Sequence, residues 1–365
     1  MSRLVGYCSA VILVVFVSHG ANVHAEPHGR TFALIMTNAT VSNQNQIQVY
    51  DTSAQSLLQT LSTNGTGGVG GNNRGVKQYK GELFAAVNNG SGTVAVYRRE
   101  GNRLTFDKLV TTTSPPVSID FGNDHMYVAG ATTVDSFALQ GNQVEWRDGT
   151  ATLELADGFG APPLGSTAQV QVLDGRHLLV TLKDPPERGS VDTVQLDDHG
   201  AVTGAAPTAV AAPVGSLTPF GFSVYPNGTA IITLAHTNQV GLFRDGAFTD
   251  TITLNQNAPC WTTRAGEYVF TVNTGSRTIS RLIGTGNNIF VDNPVATTIT
   301  TGAPTDADTA GGILGVISSA AGQSHLTLFT YDLFGELTAS GSAINLGVAN
   351  PNGVAIMSAP DVDED

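Results

Sequence analysis

Few residues of this 365-residue chain combine a type and a setting suited to chemistry. Hydrolysis at a carbonyl needs a cation to receive the developing oxyanion and a base to activate water. Lys183 or Arg74 fits the first role, and His236 or Asp306 fits the second. Phe220 and Trp261 would hold a ligand by stacking, and Asn88 and Asn273 by hydrogen bonding. Each has a plainer alternative: Lys183 orienting its own loop, His236 serving a turn, Trp261 packing between sheets. Cys260 has no Cys-His spacing to support a nucleophile and reads as a buried, inert thiol. Asp306 and Asp308 lack further acidic neighbours, which makes a weak calcium signal. No metal and no cofactor is expected.

Other patterns fail on context. Gly65-Thr-Gly-Gly-Val-Gly70 satisfies G-x-G-x-x-G, yet no strand leads in and no helix leads out, so it reads as a flexible loop. There is no G-x-S-x-G elbow and no H-E-x-x-H pair.

The candidates acquire positions from a repeated phrase. Leu83-Phe-Ala-Ala-Val-Asn-Asn-Gly-Ser-Gly-Thr-Val-Ala-Val-Tyr97 reads as a strand, a tight polar turn and a second strand. A variant returns at Tyr268-Val-Phe-Thr-Val-Asn-Thr-Gly-Ser-Arg-Thr-Ile-Ser280. Seven such units can be read, starting near Phe32, Leu83, Met126, His177, Ala230, Tyr268 and Ile313. Their spacing of about 40–50 residues matches propeller blades of four strands each. Short strand candidates precede most units: Gly75–Tyr79, Val117–Phe121, Ala168–Val172, Gly221–Tyr225 and Trp261–Thr263. The first unit lacks one, and Asn350–Met357 supplies it if that segment pairs beside Phe32–Met36. Closing the ring in this way removes exposed sheet edges. The fold class expected is all-β, a seven-bladed β-propeller closed by its C-terminal strand.

In such a ring, the loop into each inner strand and the turn after each second strand open on one face. Arg74, Phe220, Cys260, Trp261 and Asp306–Asp308 fall in the incoming loops. Asn88, Lys183, His236 and Asn273 fall in the turns. Ligands are expected at this channel mouth, where several blades converge.

Composition sets bounds. Charged residues make up 13% and hydrophobic ones 41%, with 42 glycines, which suits many short strands and tight turns. Residues 1–25 read as a signal peptide: Arg3, an apolar run from Leu4 to Val17, and a cleavage site at Val23-His-Ala25. The propeller would occupy residues 26–358, and the acidic tail 359–365 would be disordered. The localisation expected is secreted or periplasmic, with no membrane contact after cleavage. Cys260 is then the remaining cysteine, so no intramolecular disulfide can form. Four Asn-x-Ser/Thr sequons, at Asn38, Asn64, Asn89 and Asn227, are either glycan acceptors or turn vocabulary. A formal charge of −13 argues against nucleic acid and anionic membranes. A monomer is expected, with a small-molecule ligand.

Val87–Tyr97, Thr218-Pro-Phe-Gly-Phe222, Cys260-Trp261 and Val272–Ser280 resemble lactonase-type seven-bladed propellers, the group of 6-phosphogluconolactonases and carboxymuconate cyclases. The stretch from Gly165 through Asp174-Gly-Arg176 to Lys183-Asp-Pro-Pro186 is most similar to the secreted branch. The resemblance implies hydrolysis or isomerisation of a lactone, with a lactone or sugar acid as ligand. Enzymes of the group use arginine, histidine and glutamate at the channel mouth. The expected glutamate is replaced here by Thr181-Leu-Lys183 or Thr233-Leu-Ala-His236. The alternative is therefore a non-catalytic extracellular binding or adhesion propeller.

Overall fold

The computed structural model describes residues 30–154, 165–183 and 189–358. The expected signal peptide, the acidic tail and most of the insert after Lys183 lie outside the described residues. Among those described, the strands form seven sheets, each with a four-stranded path. Blade 1 runs Val354–Met357, Phe32–Met36, Gln46–Asp51, Ser56–Ser62 from the channel outward. Blades 2 to 7 follow in chain order, with inner strands Val76–Tyr79, Pro116–Gly122, Thr167–Val172, Pro219–Val224, Pro259–Ala265 and Ala303–Ala310. Blade 7 carries an extra short strand, Ile344–Asn345, against its third strand.

Ring closure has the expected partners. Val354–Met357 pairs antiparallel with Phe32–Met36, in the register Phe32↔Met357 to Ile35↔Val354. All four residues of the closing strand are buried.

The second strands explain why the repeated phrase is so apolar. Leu83–Asn88, His125–Gly130 and Ala230–Leu234 are buried along their whole length, because neighbouring blades cover both faces. The outermost strand of blade 1, Ser56–Ser62, is largely exposed. Between second and third strands, blades 2 and 5 use the same device, a three-residue 3₁₀ turn closed by a left-handed residue. Gly92 (φ 64°) and Asn238 (φ 57°) fill that position, which glycine and asparagine tolerate best.

Inner strands face a different problem. Each has one edge turned to the channel, where its backbone groups would lack partners. Side chains from the preceding blade supply many of them. Ser118 Oγ accepts from Val170 N–H (3.1 Å), and Asp120 Oδ2 from Val172 N–H (2.9 Å). Gln169 Oε1 accepts from Phe222 N–H at 2.8 Å. Asp306 and Asp308 accept from Val354 and Ile356 N–H, at 3.1 and 2.9 Å. These two carboxylates thus lie on the inner strand of blade 7, and not in an incoming loop as the sequence suggested. They staple the closing strand to its neighbour.

Candidate functional site

The loop entering blade 2, residues 65–74, does not behave as the flexible segment its glycines suggest. It forms a strap across the channel mouth. At its start, Gly67 N–H donates to Ala39 O (2.8 Å) and the Asn38 amide brackets Val69. Further on, Asn72 Nδ2 donates to Val117 O of blade 3 (2.7 Å) and Asn73 N–H to Ala168 O of blade 4 (3.0 Å). Asn73 Nδ2 donates to Gln169 Oε1 at 2.8 Å. Across the ring, Trp261 of blade 6 donates its indole N–H to Asn72 O at 2.9 Å. The glycines permit this close approach. A Cβ on Gly67 would lie 2.6 Å from the Asn38 carbonyl carbon, and Gly71 has φ +59°.

The strap decides what the candidate cations do. Arg74 ends it, and its guanidinium binds Asp120 at 2.7 Å inside the channel. Lys183 leaves blade 4 with its ammonium bonded to the Gly71 carbonyl and 5.5 Å above the Phe220 ring. Phe220 packs edge-to-face on Trp261, centroids 5.4 Å apart, and both rings are buried. The structure therefore brings Lys183, Phe220, Trp261 and the strap together. Burial pushes the Cys260 thiol up to about 11, against a lowering effect of Thr274 and nearby Lys183, so it remains protonated at neutral pH.

The other candidates lie apart from that group. His236 sits in the exposed 3₁₀ turn of blade 5, with Nδ1 2.7 Å from Thr218 Oγ1. Asn88 is fully buried and ties blade 2 to blade 1, accepting from Thr63 Oγ1 (2.6 Å) and Asn45 Nδ2 (2.9 Å). Asn273 is fully buried too, donating to Ser280 Oγ at 2.8 Å within its own blade.

Below the strap the channel holds a charge cluster, of which the sequence singled out Arg74, Asp306 and Asp308 but not Lys77 or Asp120. Arg74 and Lys77 of blade 2 meet Asp120, Asp306 and Asp308, with Lys77 Nζ 3.9 Å from Asp308. Burial and the Arg74 charge lower the Lys77 pKa. Burial raises Asp306 to about 8, so it is mostly neutral at pH 7. A period-two signal was present: Ser118/Asp120 and Asp306/Asp308 place polar residues two apart on strands that must line the channel.

Chemically, the closed mouth offers an arginine paired with Asp120, a lysine hydrogen-bonded to a backbone carbonyl and a histidine engaged elsewhere on the rim. No protein-family model matches the sequence, and no curated protein matches it. Solved structures do. A periplasmic gluconolactonase of Pseudomonas aeruginosa, 17% identical, aligns over 91% of this chain and 100% of its own, with a TM-score of 0.66. A Bacteroides uniformis protein provisionally named a 6-phosphogluconolactonase is 16% identical over 89% and 99% of the two chains, TM-score 0.62. Virginiamycin B lyase of Staphylococcus aureus is 12% identical over 78% and 94%, TM-score 0.51. The chain has the fold of the lactonase-type seven-bladed β-propellers.

Proposed function

We propose that the protein is a secreted or periplasmic lactonase-type propeller that binds a lactone or sugar acid at its channel mouth without turning it over. One observation carries this reading: both candidate oxyanion cations are occupied, Arg74 by Asp120 and Lys183 by the Gly71 carbonyl. Electrostatic stabilisation of a tetrahedral intermediate requires donors aimed at the developing oxyanion. Here they are aimed at the protein. The glutamate of the enzymes is also absent from the corresponding strand ends.

A second reading, lactone hydrolysis, is favoured by the full-length likeness to the Pseudomonas gluconolactonase. It requires the strap to lift so that Lys183 can meet the substrate carbonyl and His236 a water. A lactone panel, read for binding by calorimetry and for hydrolysis by acid release, separates the two. Binding with hydrolysis at background supports the first. Hydrolysis abolished by both Lys183→Ala and His236→Ala would replace it with the second.

A further inference from the structure

An asparagine followed by glycine carries its own nucleophile. The glycine nitrogen can attack the asparagine side-chain carbonyl, because no Cβ on the second residue stands in the way. The chain has four such pairs, at Asn64, Asn89, Asn227 and Asn352.

Three of them are held back by hydrogen bonds. Gly90 N–H donates to Thr66 O at 3.0 Å and to Gly67 O at 2.9 Å, and the Asn89 amide donates to Pro116 O at 3.0 Å. Gly228 N–H donates to Tyr225 O at 3.0 Å. Asn352 is clamped at ring closure: its N–H donates to Met36 O at 3.1 Å, and Met36 N–H donates to Gly353 O at 3.2 Å. Its side-chain amide also reaches Val69 O at 3.4 Å. Cyclisation at any of these three would have to break such bonds first.

Asn64 differs at every reacting atom. Gly65 N–H has no acceptor among the described residues. The Asn64 side chain is exposed, and its Nδ2, the leaving nitrogen, donates to nothing among them. Ser62 Oγ donates to Asn64 Oδ1 at 3.1 Å, where negative charge develops when the carbonyl is attacked. The same hydroxyl oxygen accepts from Asn64 N–H at 3.0 Å, which fixes the turn. On either side the backbone is stapled: Thr63 N–H donates to Asn45 O at 3.0 Å, and Asn45 N–H donates to Gly65 O at 3.1 Å. Glycine is required at this position, since a Cβ on residue 65 would lie 2.3 Å from the Asn88 amide nitrogen.

We propose that Asn64 is a self-modification site, at which the chain itself and water replace the side-chain amide by a carboxylate. Gly65 N bonds to Asn64 Cγ, its proton passes to the departing Nδ2, and ammonia leaves a succinimide behind. Water then opens either C–N bond of that ring, giving aspartate or isoaspartate. Isoaspartate adds one carbon to the main chain at the head of the strap, beside the bond between Asn45 and Gly65. Conversion therefore loosens the strap at its entry.

The chain, produced without N-glycans, is aged at mildly alkaline pH, both native and in urea. Each Asn-Gly peptide is then read by mass spectrometry and by enzymatic isoaspartate methylation. Expected in the native chain is conversion at Asn64 about tenfold faster than at Asn89, Asn227 or Asn352, with near-equal rates at all four in urea. Ser62→Ala, with Tm as the fold check, should slow native conversion at Asn64 about fivefold, the share of one hydrogen bond. Amide exchange in residues 66–74 should quicken in the aged chain, and not in Asn64→Gln aged alongside it. Native conversion at Asn64 no faster than at the other three would overturn the site. A rate in Ser62→Ala equal to or above the parent's would overturn the role of the hydroxyl. Exchange unaltered after conversion would overturn the effect on the strap.

Discussion

The indole N–H of Trp261 meets the carbonyl of Asn72 at 2.9 Å, joining positions 189 residues apart in sequence and on different blades of the ring. Trp261→Phe keeps a ring against Phe220 and deletes that one bond. The expected cost is about 1 kcal/mol, near the net value of one hydrogen bond. Amide hydrogen exchange should quicken in residues 69–74 and stay unchanged in the second strands. Unchanged exchange in the strap would show that the indole is not a tether.

Gly67 and Gly70 stand three residues apart and should respond differently to alanine. At Gly67 the new Cβ would press on the Asn38 backbone at 2.6 Å, so Gly67→Ala should destabilise by about 1–3 kcal/mol. At Gly70 the space is open, and the change should be within about 0.5 kcal/mol of zero. Denaturant midpoints of the two variants measure this. Equal midpoints would mean that the strap is not held as described.

Asp308 links the closing strand to blade 7. Asp308→Ala removes the acceptor of the Ile356 N–H and the carboxylate nearest Lys77. The expected loss is about 1–3 kcal/mol, with partial rescue by Asp308→Asn, whose amide oxygen can still accept. An alanine variant as stable as the parent would remove these carboxylates from the account of ring closure.

Asp306 gives the fold a pH dependence of known sign. Burial, aided by the Asp308 charge, raises its carboxyl from 3.8 to about 8, against the opposing pull of the Ala307 and Val354 amides and Arg74. Between those values the folded chain keeps a proton that the unfolded chain has released. Its contribution to stability is therefore full below about pH 4 and is lost by about pH 8, with a slope of at most about 1.4 kcal/mol per unit. Asp192, raised to about 7 by burial, adds the same sign over a narrower window. Urea midpoints at pH 5 and pH 8 should differ less in Asp306→Asn than in the parent. An undiminished difference would rule Asp306 out as its source.

The blades were legible because their cause is local. A strand buried on both faces must be continuously apolar, and the turn after it must supply a left-handed residue, so Leu83–Val87 and Gly92 state their roles in sequence order. The closing segment was legible for a similar reason: Val354–Met357 is an apolar strand with no blade of its own to follow it. The site was legible only in part. Lys183, Phe220 and Trp261 were found because they fall near strand ends. Phe220, Cys260 and Trp261 lie on the inner strands Pro219–Val224 and Pro259–Ala265, not in the incoming loops expected, and the structure gathers Lys183, Phe220 and Trp261 at the mouth. Asn88 and Asn273 carry the same local signature, yet both are buried in contacts within and between blades.

By itself, then, the sequence determined the number of blades, their strand order and which strand closes the ring, because period-two burial and turn chemistry act over a few residues. Only the tertiary structure decided that residues 65–74 bridge the mouth, that Arg74 turns to Asp120, and that Lys183 serves the Gly71 carbonyl. Those partners lie dozens of residues apart and belong to different blades. Nothing local in the chain specifies such contacts; they arise when the closed ring brings its inner edges within hydrogen-bonding reach of one another.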